Sequence, residues 1–316
     1  VIIETEQLRR EFRIGGRRNR RLVVAVDGID LRIAAGEAVG FLGRNGAGKS
    51  TTIKMLTGIL VPSSGRLRVC GLDPVSRRRE LARHIGVVFG QRSALWWDLP
   101  LADSFDLLRT IYRVPMPAYR QRIERCIEVL GLAEFLATPV RQLSLGQRMR
   151  GEVSAALLHA PPLLVLDEPT VGLDLDSKER LRGFLRQVNA EDGVTILLTT
   201  HDLPDVERLC RRVVVIDRGQ VVTDGELDIL RRSFRAPREL VVDLAEPAPG
   251  LDELPGVVGG CVEADGLRRR FRFDASTSAA DLVAEVMRRA QVRDITVVEP
   301  SIEDLVRTLY AGSPRS

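Results

Sequence analysis

Lysine is scarce in this chain. Of 47 basic residues among 316, only Lys49, Lys54 and Lys178 are lysine, and the rest are arginine. Because 43 carboxylates offset them, the formal net charge is only +4. An arginine-for-lysine skew spread along the whole chain is a compositional habit, so the basic balance is weak grounds for nucleic acid as a partner. Histidine is as rare, with three residues, and aromatic residues make up 4%. The four cysteines, Cys70, Cys126, Cys210 and Cys261, are far apart and form no C-x-x-C pair. That spacing argues against a zinc site or a disulfide framework, and fits reduced, buried thiols in a cytoplasm. No run approaches the 18 or so consecutive apolar residues of a membrane-spanning helix. The opening Val1-Ile2-Ile3-Glu4 lacks the charged-then-apolar pattern of a signal peptide. Position 1 is not methionine, so the natural start can lie elsewhere. What is present, 44% hydrophobic and 28% charged residues, is an ordinary globular composition with enough chain for roughly two domains.

Between about Ala38 and Gly219, short apolar runs alternate with helix-patterned stretches. Strands are expected at Val39–Leu42, Gly86–Phe89, Leu163–Leu166, Thr195–Thr199 and Val213–Ile216. Each is nearly continuous in Val, Ile and Leu, as in central strands covered on both faces, which predicts an α/β layered domain. Asp103–Leu158 reads as mostly helix, interrupted at Pro115, Pro117, Gly131 and Pro139, and so as a helical subdomain inserted between strands. After about Arg235 the pattern changes to strand-like Glu239–Leu244, Arg268–Phe273 and Ile295–Glu299. Two helix starts, at Ser278 and Ser301, each place an acid three residues on. The expected organisation is an α/β layered domain over 1–235, with its helical subdomain at about 92–158, and a small C-terminal α+β appendage over 236–316.

Gly43-Arg44-Asn45-Gly46-Ala47-Gly48-Lys49-Ser50 is a G-x-x-x-x-G-K-[ST] loop. Its glycines let backbone N–H groups curl around phosphates, its lysine supplies a point charge, and its Ser50 hydroxyl suits magnesium. It lies between an expected strand and a helix at Thr51–Leu60, whose N-terminus faces the anion. In a chain with so little lysine, this is a strong indication of a nucleotide site. Further on, the apolar run Leu163–Leu166 ends in Asp167-Glu168-Pro169. Beside such a loop, the first acid suits magnesium and the second suits an attacking water as general base.

Taken together, the motifs resemble those of the ATP-binding subunits of ABC transporters. They occur in the family's order: the loop at 43–51, a Q-loop at Gln91, and Leu143-Ser144-Leu145-Gly146-Gln147 resembling the signature LSGGQ. Then come Asp167-Glu168, a D-loop at Gly172-Leu173-Asp174 and a switch histidine at His201. The match covers roughly 4–230. The resemblance implies a P-loop NTPase fold with ATP and Mg2+ as ligands. It also implies that the domain meets a second copy of itself, or a paralogous ATP-binding domain, head to tail, each ATP lying between one partner's loop (Gly43 to Thr51) and the other's Ser144, Gly146 and Gln147. It implies Ser50, Gln91 and Asp167 at the magnesium, Glu168 polarising the water, and His201 and Lys49 on the γ-phosphate. Asp174 lies at the nucleotide interface. The aromatic residue expected to stack on adenine is Phe12, separated from the loop by an apparent insertion at Gly15–Arg21. Two positions depart from the pattern: Leu145 stands where the signature has glycine, and Arg44 where proline is common.

Trp96 and Trp97 follow the Q-loop, where the resemblance places the groove for a permease's cytoplasmic helix, and paired aromatics suit such a socket. The run Arg17-Arg18-Asn19-Arg20-Arg21 reads as a solvated loop, or as a contact with anionic lipid or permease. With no spanning segment, the permease must be another polypeptide, and the chain is expected peripherally on the cytoplasmic face of the membrane. The stretches Gln91–Pro100 and Leu143–Arg150 resemble exporter-type ATPases of the daunorubicin-resistance kind; import is the other direction. The alternative is a soluble ABC ATPase acting on ribosomes or nucleic acid. Against it stand the single cassette and the absence of sustained heptads. A small-molecule kinase would not account for the signature or His201.

Overall fold

The computed structural model describes residues 1–15, 21–90, 93–200, 202–233, 238–251, 253–274 and 277–298. Gln91, Arg92, His201, most of the arginine-rich run and the expected helix from Ser301 lie outside them. The chain divides into two compact units, Val1–Leu227 and Asp228–Ser316, a division somewhat ahead of the 235/236 boundary expected.

The first unit is built on two sheets. Strands β1 (Ile3–Ile14) and β2 (Arg21–Ile33) pair antiparallel, and β4 (Ser64–Val69) pairs with the other edge of β1. This three-stranded sheet was not legible as strands, because its burial alternates and β1 carries charge on its open side. The second sheet has the order β5-β6-β7-β3-β8-β9. Its members are β3 (Ala38–Gly43), β5 (Ile85–Phe89), β6 (Leu163–Asp167), β7 (Thr195–Thr199), β8 (Arg212–Asp217) and β9 (Gln220–Glu226). All pairings are parallel except β8 with β9. The five expected core strands are therefore present, each extended by one or two residues or matching as read. Every residue of β7 is buried, as expected of a strand covered on both faces.

Helix α1 (Lys49–Leu56) follows β3 and is followed in turn by the short α2 (Arg78–Leu81). Ile53 and Met55 of α1 belong to one apolar core with Val26 and Ile29 of β2, Leu67 of β4 and Phe41 of β3, so the helix is sandwiched between the two sheets. Fully burying a side chain such as Phe41 contributes about 2–3 kcal/mol, and this layer fixes the helix start against the strand that feeds it. The helical subdomain comprises α3 (Leu101–Tyr112), α4 (Met116–Leu130) and α5 (Leu145–Leu157). Three of the four expected breaks are observed: Pro115 precedes α4, Gly131 ends it in a left-handed conformation, and Pro139 precedes a short 3-10 turn at Val140–Gln142. Pro117 instead sits inside the first turn of α4, where its missing N–H costs no helical bond. Helices α6 (Leu175–Asp192) and α7 (Leu203–Leu209) complete this unit's helices. Helix α8 (Leu227–Ser233) opens at the division between the units.

The second unit is a four-stranded antiparallel sheet of order β11-β12-β10-β13, formed by β10 (Arg238–Leu244), β11 (Val257–Glu263), β12 (Arg268–Phe273) and β13 (Val292–Val298). Helix α9 (Ala279–Arg289) packs Leu282 and Val286 against Leu240, Val242, Phe271 and Phe273. Its expected start is observed, with the Ser278 side chain accepting from the Asp281 backbone. Strand β11 was missed. Its glycine pair and exposed residues give no apolar run.

Candidate functional site

The strand ends decide where the site lies. Phe89, Asp167 and Thr199 stand level across β5, β6 and β7, and Gly43 stands level with Ile216 across β3 and β8. The loops leaving β3, β5 and β6 therefore share the carboxyl edge of a parallel sheet, the usual ligand edge of such folds.

At this edge the chain from Gly43 turns into α1. Gly48 is the helix N-cap with φ 107° and no side-chain cap, and the first turn contains no acid. Thr52 N–H donates to Gly48 O at 2.9 Å, and Gly219 N–H to Ala47 O at 2.9 Å, which pins the loop to the turn between β8 and β9. A Cβ on Gly48 would stand 2.5 Å from Ala25 O, and one on Gly43 would stand 2.7 Å from Ile216 O. These glycines are thus required by close backbone approach, and Gly48 by its torsion as well. The uncapped helix start leaves its N–H groups and positive dipole end for an anion.

Lys49 is 8% exposed. Its ammonium donates to Gly43 O at 2.5 Å and Arg44 O at 3.3 Å, so it is held inside the loop's curve. Burial lowers its pKa, and the charges of Glu168 and Asp167 oppose that shift. The ammonium is therefore electrostatically tied to both acids. Asp167 accepts from the Thr199 hydroxyl at 2.6 Å, which orients its carboxylate. Glu168 follows in a left-handed conformation, φ 57°, its N–H donating to Thr199 O at 2.9 Å. Such a torsion is uncommon for a non-glycine residue and often marks a site. Thr199 was not picked out from the sequence; its place at the end of the strand beside Asp167 is the signal that could have found it.

A cleft of about 780 Å³ brings together Asn45 and Ser50 of the loop, Asp167, Glu168, Lys54, and Leu145 and Met149 of α5. Among the described residues no group of three or more His, Cys, Asp or Glu could hold a metal alone. Ser50 and Asp167 on one cleft nevertheless fit magnesium, which takes few protein oxygens and completes its shell with phosphate and water. Arg44, Asn45, Gly46 and Ser50 are exposed at the loop, Thr51 is half-buried, and Ala47 is buried.

The signature residues occupy the start of α5. Ser144 is its N-cap in a reciprocal capping box: its hydroxyl accepts from Gln147 N–H at 3.2 Å, and Gln147 Oε1 accepts from Ser144 N–H at 2.9 Å. Gly146 lies against α6, where a Cβ would meet Ser177 Oγ at 2.8 Å. Asp174 caps α6, accepting from Ser177 N–H and hydroxyl, both at 2.8 Å, and these bonds lower its pKa. Leu145, the departure from the signature, lodges over Gly172, which has φ 72° and whose Cβ would stand 2.6 Å from Leu145 Cδ2. The extra side chain is thus received by a glycine of the D-loop. Ser144, Gln147, Asp174 and Phe12 do not line the cleft. Phe12 is half-buried on β1, opposite Val23, with the Arg10 guanidinium 4.7 Å from its ring centre.

Loop, acids and signature, on this sheet edge, define a nucleotide-binding cassette, and comparison places it in a family. Residues 26–171 match the ABC transporter family model. The chain is 34% identical to the ABC transporter ATP-binding protein NatA of Bacillus subtilis over 69% of this chain and 88% of that protein. It is 31% identical to the daunorubicin resistance ATP-binding protein DrrA3 of Streptomyces coeruleorubidus over 92% of each, and 31% to the methionine import ATP-binding protein MetN of Geobacillus kaustophilus over 91% and 85%. Among solved structures, a dimeric ATP-binding cassette in a post-hydrolysis state with ADP and Pi matches at TM-score 0.64 and 27% identity, over 71% of this chain and 98% of that one. The chain belongs to the ATP-binding proteins of the ABC transporter family.

Proposed function

We propose that this chain hydrolyses ATP in a head-to-tail dimer and so powers a transporter whose membrane part is a separate permease. The observation that carries the reading is Glu168, held in a left-handed turn directly after Asp167, on the cleft that also carries Ser50 and Asn45. Phosphoryl transfer needs positioning and charge neutralisation more than covalent chemistry. The loop N–H groups, the α1 start and Lys49 bind the β- and γ-phosphates, and Ser50 and Asp167 hold magnesium, which neutralises developing phosphate charge. Glu168 orients a water and accepts its proton as the water oxygen attacks the γ-phosphorus and the bond to ADP breaks. Gln91 and His201 complete this set in the reading, and Phe12 stacks on the base.

The dimer is supported by the solved dimeric cassettes that the chain resembles. In the proposed sandwich Ser144, Gly146 and Gln147 meet the nucleotide held by a second copy. Contact with a permease is supported by Trp96 and Trp97, 37% and 51% exposed beside this subdomain. No described helix is long and apolar enough to cross a membrane, so the reading places the chain peripherally on it. The direction in this reading is export, that of the daunorubicin-resistance relative aligned over 92% of both chains; the methionine import relative, equally 31% identical over 91% of this chain, stands for the other direction.

Replacing Glu168 with Gln keeps shape and hydrogen bonding but removes the base. The expected result is ATP binding with an ATP-trapped dimer and turnover lowered by about 10²–10⁴-fold, read by phosphate release and sedimentation. Near-normal hydrolysis would overturn the assignment.

A further inference from the structure

The mechanism leaves unused a carboxylate in the middle of the signature helix. Glu152 on α5 is 5% exposed, and its burial raises its pKa while the bonds it accepts oppose that shift. One oxygen accepts from the Ser93 hydroxyl and the other from Ala94 N–H at 3.0 Å. The Ser93 hydroxyl in turn accepts from Leu95 N–H at 3.1 Å. One position earlier on α5, Gly151 makes room for Leu101 of α3 and for Leu95: a Cβ there would stand 2.9 Å from Leu101 Cδ1 and 3.2 Å from Leu95 Cδ1. One turn earlier, the Arg148 guanidinium lies 5.7 Å from the Trp97 ring centre. Positions 148, 151 and 152 share one helix face, and each holds a different part of the segment 93–97. The same helix begins at Ser144.

We propose that Glu152 is a positioning residue that fastens the 93–97 segment to α5 as one rigid body. Engagement of the Ser144 end by nucleotide is thereby transmitted to the Trp96–Trp97 surface. Buried carboxylate bonds suit this task. Ser93 and Ala94 are themselves exposed, and the Ser93 hydroxyl can donate instead to Leu95 O at 3.3 Å, so removing the acceptor releases the segment from α5 without stranding buried groups. Elsewhere the segment is bonded to other elements, Trp96 N–H donating to Ser104 Oγ at 3.2 Å and Arg141 N–H to Trp97 O at 2.9 Å, so the two directed bonds to Glu152 are its hydrogen-bonded link to the signature helix itself. The proposal rests on the sandwich reading above, because in that reading Ser144 meets nucleotide only in the dimer.

The chain carries only two tryptophans, both in this segment, so tryptophan emission, excited selectively over the three tyrosines, reports it alone. The experiment measures three quantities on the full chain with ATP and magnesium: ATP affinity, dimer formation by sedimentation, and the ATP-induced change in tryptophan emission and anisotropy. Wild type is expected to show all three. Glu152→Ala should bind ATP and dimerise as wild type does, while the tryptophan response falls at least about fivefold, the lower end of site-to-site coupling. Glu152→Gln, which retains an acceptor for Ala94 and a partner for Ser93, should restore it. Ser93→Ala removes one bond from the exposed side, with little risk to folding, and should weaken the response in the same direction. An undiminished response in Glu152→Ala and Ser93→Ala overturns the proposal, as does a wild-type dimer whose tryptophans do not respond. Absence of an ATP-dependent dimer in wild type overturns the sandwich reading, and this one with it.

Discussion

Gly48 shows how tightly single residues are constrained around the phosphate loop. Its φ of 107° is strained for any L side chain, and the Ala25 carbonyl occupies the space a Cβ needs. Left-handed backbone alone costs about 1–2 kcal/mol for alanine, and the close contact adds to that. Gly48→Ala should therefore lower the melting temperature and weaken ATP binding together, measured by thermal unfolding and equilibrium binding. A stable protein with intact affinity would contradict the geometry. The need for glycine here was legible, because the motif fixes where backbone must meet phosphate. Thr199 was not legible: a threonine at the end of an apolar strand looks the same whether or not its hydroxyl orients a neighbouring carboxylate. Leu145 was noticed only as a departure; its seat over Gly172 depends on two turns far apart in sequence. The scarcity of lysine was informative at Lys49 alone; the places of the other two emerge from the structure. Lys49 fills the loop, Lys54 borders the cleft, and Lys178 pairs with Asp202, next to His201 in the chain.

Between elements, the central parallel strands were readable because burial on both faces leaves continuous apolar runs. The antiparallel strands β1, β2, β4 and β11 were not, since one open face admits charge and breaks the pattern. A second consequence of packing between elements falls on His159, in the turn between α5 and β6. Its ring stacks on Tyr112 of α3, centroids 4.1 Å apart, and its Nε2–H donates to Ile85 O of β5 at 3.1 Å, while Nδ1 is buried without a hydrogen-bond partner among the described residues. Burial lowers its pKa to about 4, with the Ile85 bond opposing and Arg122 assisting. An imidazole in the unfolded chain titrates near about 6.5, so as pH falls the unfolded state takes up the proton first. The stability His159 contributes is complete above about 6.5 and is lost as pH falls through that range toward about 4. His159→Gln should flatten this part of the stability profile, measured by denaturant midpoints across pH. An unchanged slope would remove His159 as its source.

At the level of the whole chain, the two units differ in what can react. The four cysteines are unpaired, and only Cys261, on β11 of the second unit, is exposed. Burial pushes the thiols of Cys70 and Cys126 up to about 11 and raises that of Cys210 further. Since the thiolate is the nucleophile, a maleimide at neutral pH should couple rapidly to one site per chain, located at Cys261 by peptide mapping. Fast uptake of a second equivalent by the folded protein would show one of the other thiols to be accessible. The first unit holds both tryptophans and no readily labelled thiol, whereas the second holds the labelled thiol and no tryptophan. The unaltered chain thus carries a built-in optical donor in one unit and an attachment point for an acceptor in the other. Energy transfer between the two sites, measured with and without ATP, tests whether their separation changes, without altering a single residue.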